Sequence, residues 1–254
     1  MEIFTFLWIA LGLNLVMFLI AYLAKTDVLT DISYATTFIL LALWAFVSNE
    51  GGELQAVVLA LILVWALRIG GYLLMRIMHM KSDKRFDGIR ESFGKFAFFW
   101  IFQGVTVWII LLPALYVLGH GHGHEIENLS LIGIAIWVTG LLLEAIADHQ
   151  KFTFKNKYPT KFISTGLWKY SRHPNYFGEI LCWIGIYVVA LPMLVAPDWI
   201  YALASPLYIT IILCLFSGIP PLEKRYQKKF GKEKKYQEYK KTTSILIPWK
   251  KKSQ

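Results

Sequence analysis

Residues 167–194 read LWKYSRHPNYFGEILCWIGIYVVALPML and join a polar motif to an apolar run. The run, residues 176–194, has the length of about 20 residues that an α-helix needs to cross a bilayer. The motif, residues 167–179, carries five polar or ionisable side chains: Arg172, His173, Asn175, Tyr176 and Glu179. Such groups are costly at a membrane boundary, so they usually mark a site. This stretch predicts a membrane helix with a binding site at its first turns.

Six more apolar runs lie outside this stretch, and the composition is that of a membrane protein. Hydrophobic residues make up 56% of the 254, and charged residues 17%, against about 25% charged residues in a soluble domain. We predict an all-α polytopic membrane helical bundle that forms a single domain over residues 1–254. The seven predicted spans are residues 3–24, 32–47, 54–75, 96–118, 129–147, 176–194 and 199–219. The first has no lysine or arginine before it and no cleavage site after it, which favours a retained helix over a signal peptide.

The distribution of lysine and arginine predicts the orientation. Of the 26 cations, six lie between spans three and four, six between spans five and six, and twelve after span seven. Lys25 follows span one, and Arg68 alone lies inside a predicted span. Residues 49–53, 119–128 and 195–198 contain no lysine or arginine. The positive-inside rule therefore predicts an outside N-terminus and a cytoplasmic C-terminus.

The net charge of +9 has an explanation that needs no nucleic acid. Basic loops set topology and interact with anionic lipid headgroups, so we expect membrane lipid as a partner and no nucleic acid. Cys182 and Cys214 both lie in apolar spans, which does not indicate a disulfide framework. The segments 148–175 and 223–254 are basic but rich in aromatic residues. Disordered tails are poor in aromatics, so we expect these segments to fold against the bundle or lie in the interface.

Ionisable side chains inside the spans are further candidates for the site. Arg68 lies about 10 Å deep at 1.5 Å per residue, and Tyr72 shares its helix face at i+4. An intramembrane arginine indicates a ligand or carboxylate partner, and the alternative is a structural ion pair with Glu144 or Glu179. Glu144 and Asp148 are also one turn apart. They are suited to ribose hydroxyls or an exocyclic amine, although Asp148 is equally suited to capping or to pairing with lysines.

The polar motif itself has the chemistry of an anion site. Pro174 suits the first turn of a helix, so span six is expected to begin there. A helix N-terminus offers free backbone N–H groups and a positive dipole end to a phosphate. Arg172 adds a planar fork suited to phosphate oxygens, and Glu179 is placed to accept from an amide or a ribose hydroxyl. A topology charge and a cap explain Arg172 and Asn175 alone, but not all five side chains.

Three other features leave alternatives open. Gln103 in span four either lines the same cavity or makes an interhelix hydrogen bond. Asp31, next to Tyr34 at the start of span two, either caps that helix or belongs to the site. The glycine-interleaved trio His120, His122 and His124 lies on the outer side and has no fixed fourth ligand, which disfavours a metal site.

Four segments resemble a known family. FISTGLWKYSRHPNYFGEI (residues 162–180), EKRYQKKFG (223–231) and YQEYKKTTSILIPW (236–249) resemble bacterial relatives of steroid 5-alpha-reductase, integral membrane proteins named for an uncharacterised domain. LRIGGYLLMRIMHMKSDKRF (67–86) and Gln103 resemble them too. The similarity covers most of the chain from Thr30 onward and is most specific in the C-terminal half. The RHPNY element alone also resembles membrane methyltransferases acting on isoprenylcysteine and phospholipids.

The resemblance implies a seven-helix bundle that binds NADPH from the cytoplasmic side and reduces a carbon–carbon double bond conjugated to a ketone. It implies hydride delivery to the β-carbon while a hydrogen-bond donor polarises the ketone oxygen. Arg68 would line the nicotinamide or substrate cavity. The implied cofactor-binding residues are Asp148, Arg172, His173, Asn175, Tyr176, Glu179 and Tyr226.

The sequence departs from the steroid-reducing members at the far end of that cavity. Those members use a Glu–Tyr pair on spans two and three at the ketone, and the nearest positions here hold Asp31 and Trp65. The candidate catalytic residues are therefore Asp31, Tyr34, Arg68 and Tyr72, and the substrate is a steroid-like or other lipid. The predicted function is an NADPH-dependent reductase of the bacterial inner membrane. The alternatives are an S-adenosylmethionine-dependent methyltransferase and a non-enzymatic lipid-binding or carrier protein.

Overall fold

The structure, a computed structural model, describes residues 3–49, 51–80, 86–120 and 124–249, without the side chains of residues 79 and 80. Within these ranges the fold is all-helical, with short 3₁₀ turns at Gly166–Lys169 and Leu191–Met193 and a π-helical turn at Ile212–Phe216. The α-helices in chain order are α1 Ile3–Leu23, α2 Val28–Val47, α3 Glu53–Met80, α4 Phe93–His120, α5 Asn128–Lys157, α6 Pro174–Ala190, α7 Asp198–Ile211, α8 Ile219–Phe230 and α9 Lys234–Thr242.

Seven helical stretches of the described chain are long and apolar enough to cross a membrane, which confirms the predicted number. They are α1 to α6 and the continuous stretch Asp198–Phe230 that contains α7 and α8. The protein is an integral multi-pass membrane protein. The predicted orientation stays a prediction.

The helix ends differ from the predicted spans. The predicted spans follow the apolar runs, which end at the membrane boundary, whereas the helices continue into polar residues beyond it. α2 begins at Val28 with Asp27 at the cap position, so the alternative in which Asp31 caps this helix is wrong. α3 ends at Met80, which places Arg76 as well as Arg68 inside a helix. α5 continues to Lys157 and carries Asp148 well inside it.

The contacts of the chain group into two compact units, and the prediction of a single domain stays a prediction. Unit 1 comprises Met1–Ser130 and Ala190–Ser205. In it α1 packs on α4 and α2 packs on α3. An aromatic cluster of Phe18, Phe86, Phe96 and Trp100 fills one part of its core. Edge-to-face ring pairs join Phe96 to Phe18, Phe86 and Trp100, as expected for aromatic packing.

Unit 2 comprises Leu131–Val189 and Pro206–Gln254. Its helices α5 and α6 pack so closely that the contact positions are occupied by glycine. A Cβ added at Gly178 would lie 2.6 Å from the backbone nitrogen of Glu144, and one at Gly140 would lie 2.6 Å from the carbonyl of Gly178. Gly133 and Gly185 make the same kind of contact one heptad away. Small residues allow such close backbone approach in membranes, and here they bring the polar face of α5 against the start of α6.

Candidate functional site

The start of α6 is held by a compact turn. Pro174 is the first residue of α6, as predicted. His173 is 1% exposed, its backbone N–H donates to the Ser171 hydroxyl at 3.1 Å, and its ring stacks on Tyr176 with the planes 9° apart. Three predicted cofactor residues, Arg172, His173 and Asn175, therefore lie within one turn of the helix N-terminus.

Glu223 on α8 binds two of these residues at once. Its carboxylate pairs with the Arg172 guanidinium and accepts a hydrogen bond from His173 Nε2 at 3.1 Å. Lys240 Nζ lies 4.0 Å from the same carboxylate. Sequence reasoning missed Glu223. The available signal was a single carboxylate among the cations of PPLEKRYQKK, on a strongly amphipathic helix.

Aromatic side chains surround this ion-pair cluster. Phe162 packs on the rings of Phe230, Tyr236 and Tyr239, and Tyr226 contacts Phe230 and Tyr236. This aromatic cluster packs the two aromatic-rich segments against each other. It encloses a small cavity lined by Phe162, Ile163, Trp168, Arg172, Glu223, Tyr226, Tyr236 and Tyr239. The cavity has room for about one water molecule.

Burial perturbs the ionisable groups at the site. Burial lowers the pKa of His173 below its usual range, and the hydrogen bond to Glu223 opposes that effect. Burial, followed by the charge of Glu223, raises the pKa of Tyr236 to about 12. The pKa of Tyr239 is also raised, chiefly by burial. Both tyrosines therefore stay protonated hydrogen-bond donors at neutral pH, and the Tyr239 hydroxyl donates to the Trp168 carbonyl at 2.7 Å.

One face of α5 carries four charged residues, two acidic residues followed by two lysines. Glu144, Asp148, Lys151 and Lys155 are spaced i, i+4, i+7 and i+11, which places them on the same side of the helix. Glu144 and Asp148 are 2% and 3% exposed. Asn175 donates from Nδ2 to the Asp148 carboxylate at 3.1 Å. This contact joins the α5 face to the first turn of α6.

The lysine end of that face belongs to a cluster of cations. Lys155 interacts electrostatically with Lys229, Lys151 and Arg225. The ammonium groups lie over aromatic rings: Lys151 is 4.7 Å from the Trp168 ring centroid, and Lys155 and Lys229 are 5.6 and 5.2 Å from that of Phe230. Clustered like charges repel one another, so an anion bound there is stabilised.

Several buried polar atoms around the start of α6 and the aromatic cluster have no hydrogen-bond partner within the described residues. They are Arg172 Nε, Asn175 Oδ1, Tyr236 OH and Thr243 Oγ1. A buried polar atom without a hydrogen bond costs free energy, and such atoms in a native fold call for an explanation. A water molecule in the small cavity, or a polar ligand at this site, would supply the missing hydrogen bonds. The structure thus places the predicted residues Asp148, Arg172, His173, Asn175 and Tyr226 in one unit, with Tyr176 stacked on His173 and Glu179 one turn after Asn175.

The predicted catalytic residues all belong to unit 1. Asp31 on α2 forms an ion pair with Arg76 on α3 at 3.1 Å. Tyr34 packs against Phe38 and Trp65, with centroid distances of 5.0 and 6.4 Å. Trp65 is fully buried. Arg68 and Tyr72 are half-buried one turn apart on α3, and their catalytic roles stay predictions.

Gln103 forms interhelix hydrogen bonds, one of its two predicted alternatives. Its Nε2 donates to Asn14 Oδ1 on α1 and to the Ser33 hydroxyl on α2, both at 3.0 Å. His122 lies outside the described residues. Among the residues that the structure describes, no cluster of three or more histidine, cysteine, aspartate or glutamate side chains is arranged to hold a metal.

Comparison with known families identifies the chain. A family model described as "Protein of unknown function (DUF1295)" matches residues 17–243. The chain belongs to this family. This match, together with the similarity to 3-oxo-5-alpha-steroid 4-dehydrogenases, confirms the resemblance to relatives of steroid 5-alpha-reductase.

Individual relatives match over part of their length. The chain is 28% identical to 3-oxo-5-alpha-steroid 4-dehydrogenase 1 of Rattus norvegicus over 47% of the chain and 41% of that protein. It is 31% identical to the protein of the same name from Homo sapiens, over the same shares. It is 27% identical to methanethiol S-methyltransferase 1 of Bradyrhizobium diazoefficiens, over 56% of the chain and 39% of that protein. The matches thus span about two fifths of the relatives' length. No solved structure matches the chain.

Proposed function

We propose that the protein is an NADPH-dependent membrane reductase of a carbon–carbon double bond conjugated to a ketone in a lipophilic substrate. The observation that carries the proposal is the charge order along α5, where Glu144 and Asp148 are followed by Lys151 and Lys155. That face extends about 16 Å at 1.5 Å per residue. It offers acceptors for hydroxyl or amino groups at one end and cations for phosphate at the other, as a nucleotide requires.

The residues at the α6 start fit the same ligand. Asn175 Oδ1 and Arg172 Nε are buried atoms with hydrogen-bonding capacity left over, and a ribose and a phosphate supply a donor and an acceptor. Asp148 orients Asn175. Glu223 orients Arg172 and His173, which makes it a positioning residue. Lys151, Lys155 and Lys229 would hold the additional phosphate that distinguishes NADPH from NADH.

The proposed reaction follows from the groups that NADPH, the enone and the protein supply. When bound, NADPH supplies a hydride for the β-carbon of the enone, while a proton reaches the α-carbon, giving NADP⁺ and the saturated ketone. Tyr34 and Tyr72 are the candidate hydroxyl donors to the ketone oxygen. Asp31 is paired with Arg76, so its proposed role is to accept a hydrogen bond or to orient a donor.

Two observations favour a second function. The similarity to methanethiol S-methyltransferase 1 and the RHPNY element both fit an S-adenosylmethionine-dependent methyltransferase. That cofactor carries a ribose and an amine but no phosphate. A methyltransferase therefore has a use for Glu144 and Asp148 but none for the lysine end of α5, which is why we prefer the reductase.

Cofactor binding tests the proposal. The protein is purified in detergent and its unfolding is followed with NADPH, NADH or S-adenosylmethionine. A ligand at 100 times its dissociation constant stabilises the folded state by about 2.7 kcal/mol, and we expect this effect with NADPH. A steroid enone should then be reduced with one NADPH consumed per double bond. Stabilisation by S-adenosylmethionine alone would overturn the reductase in favour of the methyltransferase, and no response to any of the three would favour a lipid-binding protein.

A further inference from the structure

Residues 244–249, SILIPW, follow α9 and are tied by hydrogen bonds to the loop before α6. The Arg172 backbone N–H donates to the Ser244 carbonyl at 2.8 Å, and the Ser171 hydroxyl donates to the Leu246 carbonyl at 2.6 Å. The Trp249 N–H donates to the Tyr170 carbonyl at 3.2 Å. We call residues 244–249 the C-terminal segment. Its backbone holds the loop that carries Arg172 and His173.

Exposure alternates from one residue to the next along the C-terminal segment. Ile245, Ile247 and Trp249 are 46%, 56% and 71% exposed. Ser244, Leu246 and Pro248, which alternate with them along the chain, are half-buried. A short segment that turns three large apolar side chains outward presents a patch that favours an apolar or interfacial environment.

The position of the segment indicates what that environment is. It is hydrogen-bonded to residues 170–172, and α6 enters its apolar run immediately afterwards at Pro174. The segment therefore lies at the level of a membrane boundary, where tryptophan and tyrosine are enriched. Tyr170 is also exposed, with the Lys169 ammonium 5.7 Å from its ring centroid. Exposed Lys241 precedes the segment, and Lys250, Lys251 and Lys252 follow it in the sequence.

We propose that the C-terminal segment is an interfacial anchor that inserts Ile245, Ile247 and Trp249 among anionic phospholipid headgroups. Apolar side chains flanked by lysines bind such surfaces through buried apolar area and electrostatic attraction together. Because the backbone of the same residues holds residues 170–172, lipid contact stabilises the loop that positions Arg172 and His173. The affinity of the site for its nucleotide then depends on the lipid. This second step rests on the proposed function, and the first does not.

The first step is tested without any nucleotide. The protein is placed in nanodiscs of phosphatidylglycerol or phosphatidylcholine, and its thermal unfolding is compared with that of an Ile247→Ser/Trp249→Ser variant. We expect the wild type to unfold at higher temperature in phosphatidylglycerol and the variant to lose most of that difference, while both unfold alike in detergent. Tyr158→Ser is the control, because Tyr158 is an exposed aromatic residue beside Lys157 and Lys161 and lies 12 residues before Tyr170. An unchanged lipid effect in the variant overturns the anchor.

Quenching of tryptophan fluorescence by brominated lipids measures how deeply Trp249 inserts into the bilayer. The chain has ten tryptophans, so the informative quantity is the difference in fluorescence quenching between wild type and Trp249→Phe. We expect the variant to lose a quenched component, and identical quenching in both would contradict insertion.

The coupling is tested by the dissociation constant of NADPH in the two lipids. Couplings between sites amount to at least about fivefold in affinity, and we expect tighter binding in phosphatidylglycerol that Ile247→Ser/Trp249→Ser abolishes. Equal affinity in both lipids would overturn the coupling while leaving the anchor in place. Absence of NADPH binding in either lipid would instead count against the proposed function.

Discussion

Each unit contains a network of buried polar side chains, but of these two networks only that of Asn14, Ser33, Thr37 and Gln103 in unit 1 completes its hydrogen bonds. In unit 1, Gln103 donates to Asn14 and Ser33, Asn14 donates to Thr37, and the hydroxyls of Ser33 and Thr37 donate to backbone carbonyls. No buried polar atom of these four side chains lacks a partner. In unit 2, Arg172, Asn175 and Tyr236 each keep a buried polar atom without a hydrogen bond from the described residues.

The difference is the one expected between a structural network and the proposed binding site. A complete network costs least when nothing enters it, and it fixes the arrangement of α1, α2 and α4. An incomplete network carries a free-energy cost that a ligand with matching donors and acceptors removes. The position of a polar residue inside a membrane helix does not distinguish the two cases, whereas its hydrogen bonds do.

The largest expected effect concerns the lysine end of α5. We predict that Lys151→Ala/Lys155→Ala weakens NADPH binding by about 100-fold, since two charge-assisted hydrogen bonds contribute about 1.5 kcal/mol each. NADH binding should be unchanged. Isothermal titration in detergent measures both affinities.

The control for that pair is Lys157→Ala/Lys161→Ala, which removes the same charge from lysines that lie over Tyr158. An equal loss of affinity in both double variants would mean that net charge, and not a phosphate site, attracts the nucleotide.

A second prediction concerns the close approach of α5 and α6. Gly178→Ala should destabilise the protein by about 1–3 kcal/mol through overpacking, because the new Cβ would lie 2.6 Å from the Glu144 nitrogen. It should also weaken NADPH binding by separating Asp148 from Asn175. Gly71→Ala is the control, since a Cβ at Gly71 meets nothing within 4 Å. Unfolding temperatures in detergent give the comparison, and a Gly178→Ala protein as stable as Gly71→Ala would contradict the packing argument.

Much of the fold could be predicted from the sequence because membrane helices are set by apolar length. The seven spans, the start of α6 at Pro174 and the shared face of Glu144 and Asp148 all follow from periodicity and helix-end chemistry. The end of α5 does not. Its apolar run stops near Ala147, while backbone hydrogen bonding continues through polar residues to Lys157.

The site was predictable only where it is local in sequence. Residues Arg172 to Glu179 lie on consecutive turns, so a motif reveals them. Glu223 is 50 residues from His173, and its pairing depends on how α8 folds back on the loop. Two of the three hydrogen bonds between residues 170–172 and the C-terminal segment are backbone–backbone contacts, which side-chain identity barely encodes.

A third prediction compares two asparagines directly. Asn14→Ala should destabilise the protein by about 1–2 kcal/mol, given roughly 0.6 kcal/mol for each of its hydrogen bonds in a membrane, with NADPH affinity unchanged. Asn175→Ala should weaken NADPH binding by about tenfold, or 1.4 kcal/mol, with little change in unfolding temperature. Measuring both quantities in both variants decides the matter. The same pattern of losses in the two proteins would mean that the two networks do not differ in kind.

The smallest expected effect is the pH dependence of stability that the His173 imidazole contributes. Its surroundings contain Glu223 from α8, Lys151 from α5 and the adjacent Arg172, and the net result is a pKa lowered mainly by burial. In the unfolded chain the imidazole takes up a proton near pH 6.5, before the folded protein does. Its contribution to stability is therefore complete above pH 6.5 and is lost as the pH falls toward the folded-state pKa.

We accordingly expect the unfolding temperature of the wild type to fall between pH 7.5 and pH 5.5 by more than that of His173→Asn. Asparagine keeps a polar group beside Glu223 but does not titrate. Since carboxylates elsewhere titrate equally in both proteins, the difference between the two pH profiles isolates His173. Parallel profiles would show that the ring is not buried as a neutral group, and a shallower decline for the wild type would mean that pairing with Glu223 outweighs burial.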